Sequence, residues 1–149
     1  MNTKGLSYTI VALVLVIMAI WFWFFQPKKL VAPISISYNN ASADLIVVEL
    51  PYPGAVTGKD FSVIGKARGN WFFEASFPVE VLDKNGKRLT TAIAEAQGDW
   101  MTTEFVPFKA DVKAPSSYIG PATLVLHKDN PSGLPKNEAS VSFPITIEY

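Results

Sequence analysis

The chain contains no cysteine. Disulfides, thiolate metal sites and cysteine nucleophiles are thereby excluded together, as is lipid attachment at an N-terminal cysteine. The compartment stays open, because disulfides are permitted outside the cytoplasm but not required there. Histidine is nearly absent too. His127 stands alone, which leaves no imidazole set for zinc and no thiol for a nucleophile–base pair. Charge excess is also missing: 13 Lys+Arg balance 13 Asp+Glu, and the formal net charge is +0. The longest basic run is Lys28-Lys29. A nucleic-acid binder neutralises several phosphates with a basic patch, so nucleic acid is not an expected partner. No internal repeat or low-complexity tract is visible. The 149 residues allow one ordinary domain plus a short extra element. That domain must be held by its apolar core alone, which about 110 residues can manage.

The positive mean hydropathy of +0.22 is concentrated in one place. Leu6 to Phe25 is almost unbroken apolar sequence, with Ser7, Tyr8 and Thr9 at its start. About 20 residues rising about 1.5 Å each give about 30 Å, the hydrocarbon thickness of a bilayer. The run ends Trp21-Phe22-Trp23-Phe24-Phe25 and is followed by Gln26-Pro27-Lys28-Lys29. Tryptophan suits the headgroup level, the lysines can snorkel into water, and Pro27 stops a helix. A cleaved signal peptide is the competing reading. Its apolar core is about 7–15 residues and ends in small residues, whereas this run is longer and ends in bulky aromatics. The segment is therefore read as an uncleaved transmembrane helix with the lipid bilayer as its partner. Lys4 on one side nearly balances Lys28 and Lys29 on the other, so charge does not orient it. Lys4-Gly5-Leu6 resembles the start of type IV pilin-like proteins. The glutamate those proteins carry five residues into the mature helix is here Ile10, and Pro27 ends the helix early.

Residues 1–5 form a short tail and 26–43 read as a tether, with Ile34-Ser35-Ile36-Ser37-Tyr38 alternating as a peripheral strand. Residues 44–149 carry short strands between turn signals. Leu45 to Leu50 precedes Pro51-Tyr52-Pro53-Gly54. Phe61, Val63, Gly65 and Ala67 alternate, as do Phe73, Ala75, Phe77, Val79 and Val81, which gives one face for the core and one for water. Pro78 marks an edge or a bulge. Asp83-Lys84-Asn85-Gly86 reads as a tight hairpin turn in which Asn-Gly takes positive φ. Arg88 to Glu95, Phe105 to Val112, Ala122 to Lys128 and Val141 to Tyr149 complete the set. The expected fold is all-β: an immunoglobulin-like β-sandwich of about seven strands, preceded by the one transmembrane helix. Phe73, Phe77, Phe105, Phe108 and Phe143 are expected in its core, each removing about 150–200 Å² from water.

Three separated segments carry a resemblance. The first is Leu50-Pro51 with Pro53-Gly54, followed by Gly65 to Val79 (GKARGNWFFEASFPV). The second is Gly98-Asp99-Trp100-Met101-Thr102 with Phe105-Val106-Pro107-Phe108. The third is His127 to Pro135 (HKDNPSGLP). Together they resemble the Gmad2 domain, the immunoglobulin-like domain found beside GerMN domains in spore-germination-type proteins. The resemblance implies an extracytoplasmic β-sandwich of the bacterial cell envelope without known catalysis. No GerMN domain precedes the sandwich in this sequence.

Catalytic residues, metal ligands and cofactors are not expected. His127 reads as a strand or rim residue. Glu74 and Glu80 alternate on one outer face, where strand glutamates are solubilising more often than paired for glycoside chemistry. Asp129-Asn130-Pro131-Ser132-Gly133 lacks the acidic density of a calcium loop and reads as an Asx-type turn. The candidate binding cluster is aromatic: Arg68, Trp71, Phe72, Asp99 and Trp100, with Met101 adjacent. With Phe73 inward on a continuous strand, Trp71 also points inward and Phe72 outward. Exposed aromatics beside Arg68 and Asp99 suit a sugar or a protein partner. The structural alternative has Trp71 and Trp100 plugging the sandwich end with Arg68 over an indole. The functional expectation is a membrane-anchored, non-catalytic envelope module that binds a protein partner or an envelope glycan. A structural subunit of an envelope or pilin-like assembly is the alternative.

Overall fold

The structure, a computed structural model, describes residues 14–18, 20–21 and 34–149. The chain divides into two units, Met1–Pro33 and Ile34–Tyr149. In the first, residues 14–18, 20 and 21 are helical. The rest of the apolar segment expected over residues 6–25 lies outside the described residues, as does the tether over 26–33. Among the described residues no helix is long and apolar enough to cross a membrane.

The second unit is all-β, as the alternation requires. Its strands are β1 (Ser37–Asn39), β2 (Ile46–Leu50), β3 (Val56–Thr57), β4 (Asp60–Arg68), β5 (Ser76–Asp83), β6 (Arg88–Ala96), β7 (Phe105–Lys113), β8 (Gly120–His127) and β9 (Ser140–Ile147). Nine strands thus stand where about seven were expected. β3 is the unforeseen one, since two residues show no period. β1 is the peripheral strand anticipated within residues 34–38, and residues 34–43 belong to this compact unit.

The strands trace one continuous path, β1-β9-β8-β5-β6-β7-β4-β2, with β3 added parallel to β9. Every other pairing is antiparallel. β6 pairs with both β5 and β7, so the sheet curls over and packs its inner face upon itself. Period-two positions fill that core. Phe77, Val79 and Val81 on β5, Leu124 and Leu126 on β8, and Phe143, Ile145 and Ile147 on β9 are all at most 2% exposed. Gly65 admits Phe108 to the same core. A β-carbon there would stand 2.8 Å from Phe108 Cζ and 2.2 Å from Val47 O.

β5 is an interior strand from Val79 onward, and Pro78 stands where it is still an edge, because the β5–β8 ladder begins only at Val79. Two local expectations are corrected. In the Asp83 hairpin only Gly86 takes positive φ, at 80°. Asp83 Oδ1 accepts from the Asn85 and Lys87 amides at 2.8 and 2.9 Å, the signature of a longer loop closed by a glycine bulge. Phe73 and Phe105 are not core residues. Phe73 is 43% exposed, and Phe105 lies half-buried on the outer face.

The antiparallel registers place loops 40–45, 69–75, 97–104 and 128–139 together at one end of the sheet. Loops 51–55, 58–59, 84–87 and 114–119 gather at the other.

Candidate binding surface at one end of the sheet

The candidate cluster is divided by two turns that the sequence pattern hid. Gly69–Trp71 forms a short 3-10 turn directly after β4. Residues 73–76 then close a second turn. The Phe73 amide donates to Ser76 O at 3.0 Å, and the Ser76 amide donates to Phe73 O at 3.1 Å. Its central residues, Glu74 and Ala75, have φ of 50° and 63°. Two consecutive positive φ values closed by reciprocal hydrogen bonds define a type I′ hairpin turn. Asn-Gly is the usual occupant, and each L-residue in the left-handed region costs about 1–2 kcal/mol.

These turns reset the alternation. Trp71 and Phe72 are both buried, at 1% and 4% exposure, and Phe73 is turned out. The expectation that Phe72 points outward is therefore corrected, because no continuous strand runs through residues 71–76. Trp71 meets Phe77 edge-on at 6.3 Å, and Phe72 lies 5.2 Å from the same ring. The Trp71 indole N–H is buried and has no acceptor among the described residues.

Arg68, at the end of β4, is consumed as a clip between loops. Its Nε donates to Asp44 O at 3.0 Å and its Nη1 to Thr103 O at 3.1 Å. Nη1 also lies 3.4 Å from Glu104 Oε2. The guanidinium stacks 4.1 Å above the Phe105 ring, not over an indole as the plug arrangement anticipated. Lys66 Nζ sits 5.3 Å from the same ring. Asp99 does not meet Arg68 in any hydrogen bond or ion pair. Its Oδ1 accepts from the Met101 amide at 3.0 Å, an Asx turn. Trp100 is half-buried and packs against the core. Its carbonyl lies over Gly69, where a β-carbon would stand 2.3 Å from Trp100 O and 1.9 Å from Thr102 O.

What remains open to solvent at this end is a different set. Phe73, Met101 and Leu134, on three separate loops, are 43%, 77% and 48% exposed. Sequence reasoning included Met101, misplaced Phe73 and passed over Leu134, which carries no periodic signal. A depression of about 240 Å³ lies between loops, lined by Leu45, Arg68, Asn70, Thr102 and Thr103. The four loops carry Asp44, Glu74, Asp99, Glu104, Asp129 and Glu138 against Lys128 and Lys136, so the end is acidic.

The other candidates serve local structure. Asn130 accepts from Ser132 Oγ at 2.5 Å and donates to Leu134 O at 2.9 Å, while Asn137 donates to Ser132 Oγ at 3.0 Å. Two of the oxygens considered for calcium, Asn130 Oδ1 and Ser132 Oγ, thus hold their own loop. Glu74 sits in the I′ turn and Glu80 on β5, so they do not alternate along one strand. Glu80 pairs with Arg88 at 2.8 Å and lies 3.4 Å from His127 Nε2. The second contact lacks hydrogen-bond geometry, and that nitrogen is shielded from solvent without a hydrogen-bond partner. Among the described residues, no three His, Asp or Glu side chains group as metal ligands. Asp111, on the outer face of β7, has its carboxyl held below the ordinary value, first by the Ser62 hydroxyl at 2.6 Å and then by Lys109 at 3.0 Å.

A family model described as an immunoglobulin-like domain of bacterial spore germination, Gmad2, matches residues 45–133. The chain belongs to the Gmad2 family. No curated protein and no solved structure matches it. The matched region of this Gmad2 domain runs from the residue before β2 into the β8–β9 loop. It includes Gly65 and Gly69, where a β-carbon would press against the backbone of another chain segment, and the double turn after β4. Strands β1 and β9 lie outside the match and complete the Gmad2 sheet.

Proposed function

We propose that this Gmad2 protein is a membrane-anchored, non-catalytic module of the bacterial cell envelope, with its domain outside the cytoplasm. It binds a protein partner through the acidic loop end of the sheet. The observation that carries this reading is the exposure of Phe73, Met101 and Leu134 on three separate loops of one end. Apolar contacts within a charged rim are the ordinary anatomy of a protein interface. The type I′ turn adds to it, because non-glycine residues in the left-handed region gather at functional sites. A protein is favoured over a glycan because Phe73 is the one exposed aromatic of these four loops, too few to stack a sugar chain. A partner with basic side chains around an apolar centre suits the six carboxylates. The anchor is supported by the apolar run of residues 6–25, and an envelope role connected with germination by the description of the family. The non-catalytic reading is supported by the pairing of Glu80 with Arg88 and by the hydrogen bonds of Arg68 to two loop carbonyls.

The test is capture from envelope extract by the full chain in detergent, compared with the Phe73→Ala, Met101→Ala double variant. The double variant is expected to melt as the parent does and to lose the captured protein. Undiminished capture by a folded double variant would remove this surface. Release of the captured material by soluble cell-wall fragments would identify a glycan instead.

A further inference from the structure

The domain carries formal charges of opposite sign at its two ends, although the chain as a whole is neutral. The loop end holds six carboxylates against two lysines. The opposite end, with the strand residues that flank its loops, carries Lys59, Lys84, Lys87, Arg88 and Lys113 against Asp60, Asp83 and Glu148. Lys84 and Lys87 are exposed on the Asp83 hairpin. The same end exposes Tyr52 at 63% and Ile119 at 66%.

Ile34 packs against Gly54, so closely that a β-carbon there would stand 2.5 Å from Ile34 Cδ1. From Ile34 the chain runs through β1 toward the acidic loops, antiparallel to β9. Ile34, the first residue of this unit, therefore lies at the basic end. Residues 26–33 separate Ile34 from the apolar run and span at most roughly 30 Å when fully extended. They include Lys28 and Lys29.

We propose that the basic end of the domain docks on an anionic lipid surface, with Tyr52 and Ile119 at the headgroup level and Lys84 and Lys87 facing lipid phosphates. This rests on the membrane-anchor reading above. Tyrosine favours the membrane–water interface, and lysines within a Debye length of anionic lipid are drawn to it. The arrangement turns the acidic loop end away from the bilayer, where its apolar tips are open to a partner.

The lack of native cysteine makes the test direct. The full chain is labelled with a fluorophore at a single introduced cysteine, Ile119→Cys at the basic end or Lys136→Cys at the acidic end. Each form is reconstituted into vesicles of equal parts phosphatidylcholine and phosphatidylglycerol that carry a headgroup quencher in both leaflets. Co-flotation with vesicles reads the anchor, and quenching reads the docking. Both forms are expected to float, with quenching several-fold stronger at 119 than at 136. That difference is expected to collapse in pure phosphatidylcholine and in the Lys84→Glu, Lys87→Glu variant. Equal quenching at the two positions in floating samples overturns the docking and leaves the anchor standing. A difference unchanged by lipid charge or by the glutamates overturns recognition of anionic lipid. A chain that fails to float overturns the anchor, and the docking with it.

Discussion

The indole of Trp71 meets the ring of Phe77 edge-on, with centroids 6.3 Å apart and planes at 81°. Phe77 also touches Phe72 at 5.2 Å and Phe108 at 5.0 Å. It is the hub through which the turn after β4 is tied to β5 and β7. Trp71→Ala and Phe72→Ala are each expected to destabilise the domain by about 3–5 kcal/mol, read by urea unfolding with an unchanged slope. A loss below about 1 kcal/mol at Phe72 would contradict its burial.

Ala75 holds a φ of 63° beside Glu74 at 50°. Glycine reaches this region without the Cβ penalty. Ala75→Gly is therefore expected to raise stability by up to about 1 kcal/mol, reduced by the extra freedom glycine gives the unfolded chain. A lower melting temperature would mean that the turn is not type I′.

Gly69 and Gly86 separate two reasons for a glycine. A β-carbon at Gly69 meets the backbone of residues 100 and 102, and one at Gly86 meets nothing within 4 Å. Gly69→Ala is expected to push the β6–β7 loop outward at a cost of about 1–3 kcal/mol. Amide exchange should quicken between residues 97 and 104. Gly86→Ala, at a φ of 80°, is expected to lose about 1–2 kcal/mol through backbone strain and to leave that loop protected.

Asp111 is held below its ordinary pKa by Ser62 and then by Lys109. A folded pKa below the unfolded one adds stability that is present above the unfolded value and is lost as pH falls through the folded value. The carboxyl is exposed, so the loss is small and confined to the acid limb. Ser62→Ala is expected to move the Asp111 titration upward, as followed by carboxyl carbon NMR. An unmoved titration would show that the hydroxyl is not what holds it.

Removing divalent cations is expected to leave the thermal transition unchanged, because Asn130 and Ser132 already bond within their own loop. A downward shift with chelator would reveal a structural ion.

The inward set of β5 shows how far the sequence reaches. Phe77, Val79 and Val81 lie every second residue and are all buried. The same alternation extended back to Phe73 fails, since a type I′ turn built from Glu and Ala carries none of the glycine or asparagine that announces one. Its closing hydrogen bonds are made between backbone groups, which are the same in every residue. Arg68 is a related case. Its position beside the aromatics was legible, but its partners Asp44 and Thr103 are brought to it by loops distant in sequence.

Element type, most strand positions, the family and the apolar segment that precedes the domain can be read from residue order alone. Periodicity, turn residues and run length are local properties, and local sterics and solvent preference express them directly. The folded chain was needed to fix which aromatics of the 71–73 run face water and that Arg68 clips two loops. It also decided that charges scattered along a neutral chain gather as an acidic end and a basic end. Those outcomes depend on antiparallel register, which places residues far apart in the chain side by side through non-local hydrogen bonds and core packing.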